Sequence, residues 1–372
     1  MSKLYRFNYT SSTTSYINSF HHYKHRVSER ENKVYNEILD NFIMKYFLDD
    51  DADLKLVKEI IYLIFDNFWI QYFLQCDMHG EENWIDFESE ISNVVKSIDD
   101  KMHGLDKDNN YSLYDKVTDW PNNYLRLFFE VQYGKDITYK VVRDKLERDV
   151  DKLIRVFEIY LAEYVEKIDI KIVSPDIEKI AAISNEDREE EGILTNKIIS
   201  FNYTNIYEKL FLNKYSIASD DYIDYIHGKA DINNTIRSNN MVLGIDEYLS
   251  DNRKNKDVEF IAFKKFYQRI HKKTGCNYKK WVDGIKKKEY YQHYLYIFGH
   301  SLDVTDGDIL RDLILNDNVS TTIFYINKDV MGQQIANLVK VIGQDELIRR
   351  TGGSTKTIKF VQQKPMEPIV VR

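Results

Sequence analysis

Glycine and proline are scarce in this chain, with 14 and 4 in 372 residues and no glycine before Gly80. These residues punctuate loops, so few natural breakpoints exist, and no Pro/Gly/Ser-rich linker, repeat or low-complexity tract appears. An insertion within one fold fits this better than domains strung like beads. Cysteine is nearly missing. Cys76 and Cys276 make no metal-ligand spacing, and two lone thiols fit a reducing cytoplasm without a disulfide. A basic excess is missing too: the net charge of −8 argues against nucleic acid as the main partner, since phosphate neutralisation needs clustered Lys and Arg. The one dense basic run, Lys286-Lys287-Lys288, reads as a solvated helix face. The first residues, Met1-Ser2-Lys3-Leu4-Tyr5-Arg6, lack the apolar h-region of a secretory signal. Long apolar runs are missing as well. Residues 57 to 76 come nearest, but Lys58, Glu59, Asp66, Asn67 and Gln71 interrupt them, at a density costly in hydrocarbon. They read as a buried helix, and the expectation is a soluble cytoplasmic protein without a membrane or nucleic-acid partner.

What is present is ample core material, 43% hydrophobic and 14% aromatic residues, which excludes global disorder. Residues 30 to about 170 are predicted to be mostly helical. Val34, Ile38, Phe42 and Tyr46 recur at helical spacing, as do Val142, Leu146, Val150, Leu153 and Phe157 within a predicted helix over 138–168. Further helices are expected over 54–76 and 83–102, with a polar loop at 106–122. Pro175 and the acidic run 187–192 are expected to end this half. From about Lys197 the period changes. Short apolar runs at 198–201, 222–226, 241–243, 294–298, 321–326 and 357–361 alternate with helical patterns at 207–211, 258–273, 306–315, 330–341 and 345–350. This alternation predicts βαβ units and a mainly parallel sheet.

Three strings follow such strands: Phe201-Asn202-Tyr203-Thr204-Asn205, Ile226-His227-Gly228 and Phe298-Gly299-His300-Ser301-Leu302-Asp303. Polar groups beyond strand ends build the ligand crevice of an open α/β sheet, so the three strings predict one shared site. Asn202 can hold a sugar hydroxyl or a water, or cap the following helix. His227 can act as a general base near neutral pH, or bond a neighbouring loop. The amides around Gly299, His300 and Ser301 can cradle ribose oxygens, with Asp303 alongside, or form a strand–turn–helix junction with Asp306 as its cap. Asp86 and Glu88 in Trp84-Ile85-Asp86-Phe87-Glu88 read as helix-dipole residues. No carboxylate pair or histidine cluster shows metal-ligand spacing, so no metal is expected.

These strings, with Thr14-Ser15-Tyr16, Trp84–Glu88 and Leu243-Gly244 in the same order, resemble the AbiH family of bacteriophage abortive-infection proteins, a branch of the sirtuin-like NAD-binding fold. The resemblance implies an α/β fold: a Rossmann-like, mainly parallel sheet formed by residues 1–29 and 195–372, with a large helical insertion at 30–194. It implies a cytoplasmic antiphage hydrolase that cleaves NAD at the nicotinamide–ribose bond. In that carry-over Asn202 positions ribose and water, His227 is the base, and Thr204, Gly228, Gly299, His300, Ser301 and Asp303 line the NAD site. The sequence departs from the family at its start. A glycine-rich pyrophosphate turn is replaced by Leu4-Tyr5-Arg6-Phe7-Asn8-Tyr9-Thr10-Ser11-Ser12, and Thr204 stands where sirtuins carry an acid. Either Ser11 and Ser12 take over the phosphates, or the site binds without turnover. The alternative function is therefore an inactive nucleotide-binding or interaction module that senses a ligand or a phage-derived trigger protein. In both readings the helical region can also mediate homo-oligomers.

Overall fold

A computed structural model describes residues 54–76, 87–102, 138–186, 197–212, 222–250, 252–287, 291–354 and 356–369. The stripe at 34–47, the loop at 106–122, the acidic run at 187–192 and the segment carrying Ser11 and Ser12 lie outside the described residues.

The apolar segment predicted as one helix forms two, α1 (Leu54–Ile64) and α2 (Phe68–Cys76). Asp66 adopts a left-handed φ of 57° and stops α1. Asn67 starts α2 by accepting from the Ile70 N–H at 3.2 Å. Its amide also donates to the carbonyls of Leu63 and Asp149, at 3.2 and 3.0 Å. Next come α3 (Phe87–Met102) and the long α4 (Tyr139–Glu163), where Thr138 Oγ1 accepts from Val141 N–H at 3.3 Å. Val142, Leu146, Val150 and Leu153 of α4 are buried against Trp69, Phe73, Ile91 and Val95, which explains their spacing. Pro175 does not end the helical half. It opens α5 (Pro175–Glu186) after the short strand β1 (Ile172–Val173), because its fixed φ and missing N–H suit a first helical turn.

From Ile198 onward strands and helices alternate. They are β2 (Ile198–Ser200), β3 (Ile223–Tyr225), α6 (Lys265–Lys272), α7 (Tyr278–Lys287), β4 (His293–Ile297), α8 (Gly307–Ile314), β5 (Val319–Tyr325), α9 (Lys328–Ile342), α10 (Gln344–Thr351), β6 (Ile358–Gln362) and β7 (Glu367–Pro368). Strands β2 and β3 pair in parallel, and β4, β5 and β6 form a parallel sheet with β5 central. The third pairing, β1 with β7, is antiparallel. The fold is thus mixed α/β, with small parallel sheets. Leu310, Ile314, Leu338 and Leu347 from the helices pack with Ile297, Ile323 and Ile358 from the strands.

One further expectation is corrected. Met241–Leu243 is irregular rather than a strand, because scattered partners take up its backbone groups. Val242 N–H donates to the His227 carbonyl at 2.8 Å, Leu243 N–H to Gln268 Oε1 at 3.0 Å, and Tyr203 Oη to the Val242 carbonyl at 2.7 Å. The basic run expected on a solvated helix face falls at the C-terminal end of α7. Tyr278 and Val282 form its buried face, while Lys286 and Lys287 lie in its last turn, where cations favour the helix dipole. Among the described residues no helix is long and apolar enough to cross a membrane.

Candidate functional site

Each of the three strings begins where a parallel strand stops. Strand β2 runs into Phe201, β3 into Ile226 and His227, and β4 into Phe298 and Gly299. The Phe201 ring lies edge-on to both histidines, with centroids 5.7 Å from His227 and 4.2 Å from His300. Tyr203 approaches His227 at 6.1 Å. The fold therefore brings the strand ends around one aromatic contact.

The charged centre is Asp306. His227 Nε2 lies 3.1 Å from Asp306 Oδ1, and His300 Nε2 lies 3.5 Å from Oδ2. Lys265 Nζ donates to Oδ1 at 3.4 Å and pairs with Glu88 of α3 at 2.9 Å. The histidine tautomers follow from these bonds. His300 Nδ1 accepts from the Leu302 N–H at 2.8 Å, so its proton sits on Nε2 and faces Asp306. His227 donates its Nε2–H to Asp306 in a hydrogen bond, leaving a lone pair on Nδ1. That atom is buried and has no hydrogen-bond partner among the described residues.

Electrostatics reinforce this assignment. Burial lowers the pKa of His227 below its ordinary value, and the charges of Lys265 and Arg269 add to that against the pull of Asp306. Burial alone raises Asp306, but hydrogen bonds from His227 and His300 with the Lys265 charge outweigh it and hold the carboxyl well below the usual range. Desolvation opposes the charge on Lys265, yet Glu88 and Asp306 together raise its pKa. The centre is a neutral imidazole on an ionised carboxylate, backed by an ammonium. Such an arrangement can accept a proton at His227 Nδ1.

The other predicted residues fall into place around it. Asn202 is exposed, and the Ser200 hydroxyl bonds its backbone N–H and carbonyl at 3.3 and 3.1 Å. Thr204 is half-buried. Gly228 has φ 81°, and a Cβ there would meet the Asn240 carbonyl oxygen at 2.2 Å, so chain packing rather than space for a ligand demands this glycine. Gly299 differs: its φ is 60° and nothing lies within 4 Å of where a Cβ would stand. Helix α9 clamps this turn, as Gln334 Nε2 donates to the His300 carbonyl at 3.1 Å and Asn337 Nδ2 to the Ser301 carbonyl at 2.9 Å. Asp303 is occupied as a cap, accepting from Thr305 N–H at 3.0 Å.

The capping role expected of Asp306 thus falls to Asp303. Asp306 precedes α8 without a side-chain cap bond, and its carboxylate turns into the site instead. Glu88 likewise does more than favour a dipole, since it reaches Lys265. Sequence reasoning passed over Asp306, Lys265 and Glu88 as site residues. For Asp306 a signal existed, a third aspartate close behind Gly299-His300-Ser301, but capping explained it equally well. Lys265 carried none. Among the described residues no group of three or more His, Cys, Asp and Glu is placed to hold a metal ion.

Fold and site together define an α/β protein with a buried histidine–aspartate centre beyond the ends of parallel strands. The chain matches the model of the family described as bacteriophage abortive infection AbiH over residues 9–327, and it belongs to that family. Membership places it among the proteins of bacteriophage abortive infection. No curated protein and no solved structure matches it.

Proposed function

We propose that this chain is an abortive-infection effector that hydrolyses NAD at the nicotinamide–ribose bond. In this reading residues 1–29 and 195–372 form a sirtuin-like Rossmann domain, and 30–194 are its helical insertion. The observation that carries it is the buried, unpartnered Nδ1 of His227, with the opposite nitrogen held by Asp306. Cleavage through an oxocarbenium-like state needs ribose positioning and a base more than a strong nucleophile. His227 Nδ1 takes a proton from a ribose hydroxyl, Asn202 orients ribose and water, and Thr204, the open turn at Gly299 and Ser301 hold the adenosine half. The glycosidic C–N bond breaks, water adds to the anomeric carbon, and nicotinamide and ADP-ribose leave. In this reading Ser11 and Ser12, outside the described residues, supply the phosphate contacts. Chromatography of nicotinamide released from NAD tests this reading. The expected result is turnover that His227→Ala lowers by about 100-fold or more, and turnover unchanged in that variant removes the assigned role.

A second reading is a binding module that senses an NAD-like nucleotide or a phage-derived protein without turnover. It is favoured by the exposed Asn202, whose side chain no hydrogen bond holds among the described residues. In that case the helical half carries the partner surface or a contact with a second copy, and the outward-facing stacked pair Tyr160 and Tyr164 offers such a surface. Calorimetry with NAD separates the readings: tight binding without nicotinamide release favours the module, and no binding removes both nucleotide readings.

A further inference from the structure

The charged centre has a member from outside the strand region. Helix α3, far from the strands in sequence, sends Glu88 to Lys265 at 2.9 Å, and Lys265 reaches Asp306 at 3.4 Å. Lys265 is the first residue of α6, where its N–H donates to the Ile245 carbonyl at 2.9 Å. Its side chain is only 6% exposed. A buried ammonium is costly unless anions compensate it, and here each anion comes from a different part of the chain. Asp306, in turn, carries His227 on the same oxygen that Lys265 approaches.

We propose that the Glu88–Lys265 pair is a positioning element of this site, fixing Asp306 and thereby the Nε2–H tautomer of His227, with its lone pair on Nδ1. The helical region is then part of the site itself. The inference rests on the reading of His227 as the base. Geometry gives its logic. Lys265 shares the negative charge of Asp306, so less of that charge is available to stabilise a protonated His227. Glu88 holds Lys265 and offsets part of its charge.

The other groups that face this centre do not replace Lys265. Arg269 of α6 is engaged by Asp308 of α8, and its charge also disfavours protonated His227. His300 donates to the far oxygen of Asp306. From the β2 side the rings of Phe201 and Tyr203 approach His227. Tyr203 is held neutral because burial pushes its phenol far above the usual range. Among the described residues Lys265 is thus the one cation that links the histidine's carboxylate to the helical region.

Histidine-side-chain NMR on the full-length protein reads this directly, because the ¹⁵N shifts report both the tautomer and the protonation of His227 without turnover. In the wild type His227 is expected as the Nε2–H tautomer. In Lys265→Gln its titration midpoint rises by about one pH unit, while Lys265→Arg keeps the wild-type behaviour. Glu88→Gln, which leaves the Lys265 charge less compensated, lowers the midpoint below that of the wild type. This variant decides the matter should Lys265→Gln fail to fold. A Lys265→Gln midpoint equal to wild type, a rise in Lys265→Arg as large as in Lys265→Gln, or a Glu88→Gln midpoint at or above that of the wild type overturns the proposal. The two readings fail separately. NMR shifts as expected without nicotinamide release remove the NAD reaction and keep the positioning role, and turnover without those shifts does the reverse.

Discussion

At the scale of single residues, Asp306 decides what this site can do. It lies between two imidazoles and an ammonium, and a neutral amide cannot serve the same donors. If the proposed NAD reaction is this site's activity, Asp306→Asn lowers nicotinamide release by about 10²–10⁴-fold, because His227 loses its fixed tautomer. The same groups predict a pH dependence of stability. His227 has a folded pKa below 6.5, so below that pH the unfolded chain binds more protons and the fold loses stability as the pH falls. Asp306 is held below its ordinary 3.8. It contributes stability that is present above that value and lost as the solution becomes more acidic. Both depressions act in the same direction. Urea midpoints should fall progressively between about pH 7 and about pH 4, and His227→Gln should flatten the upper part of that curve. A wild-type midpoint that rises on acidification contradicts the assignment. Legibility at this scale was uneven. His227, His300 and Gly299 stood out because they interrupt apolar runs. Asp306 did not, because aspartate before a helix has an ordinary capping explanation and only the observed bond from Thr305 to Asp303 removes it.

Among elements, the turns and the long helix carry the sharpest expectations. Gly228 and Gly299 both have positive φ, but only Gly228 is hemmed in by backbone. Gly228→Ala combines left-handed strain with a steric clash and should cost several kcal/mol, on the order of 3. Gly299→Ala should cost only about 1 kcal/mol, and urea unfolding of the two variants checks the ranking. Helix α4 offers another test. Arg155 is 1% exposed and bonds Glu59, Glu158 and the carbonyls of Asp231 and Ile232. Glu158 is fully buried and also accepts from Asn239 and from Asn234. Arg155→Ala leaves that carboxylate without its cation and should destabilise by about 3–5 kcal/mol. A loss under about 1 kcal/mol in denaturant titration would mean that the asparagines suffice. The apolar stripe of α4 was plain in the sequence, because hydrophobic spacing directly encodes a buried face. The buried Arg155 and Glu158 were hidden, since charged residues on a helix ordinarily face water. Helix α5 was missed for a related reason: proline ends helices or begins them, and only its neighbours determine which.

For the molecule as a whole, the helical region and the strand region share a core. Trp69, Ile91, Val95 and Leu146 pack in one cluster with Met241, Leu243, Phe260 and Phe263. The buried polar contacts of Arg155 and Glu158 with residues 231–239 tie the same two regions. Regions joined by a common core are expected to unfold together. Far-UV circular dichroism and tryptophan fluorescence should therefore give coincident urea transitions, and two separated transitions would show that the helical region stands alone. The shared core also gives the Glu88–Lys265 contact its rigid frame, since α3 and the start of α6 belong to the packed structure on both sides.

The sequence by itself determined the alternation of strands and helices, the buried faces of the long helices, and the three polar strings beyond strand ends. Each is encoded locally, by hydrophobic period or by a polar interruption of an apolar run. It also carried the ordered motifs that place the chain in the AbiH family. Only the tertiary structure decided which charges meet. Glu88, His227, Lys265 and Asp306 lie in four separate stretches, and no local pattern relates them. Their bonds form because packing buries His227, Lys265 and Asp306 and brings Glu88 to Lys265, where opposite charges and hydrogen bonds offset the cost of burial.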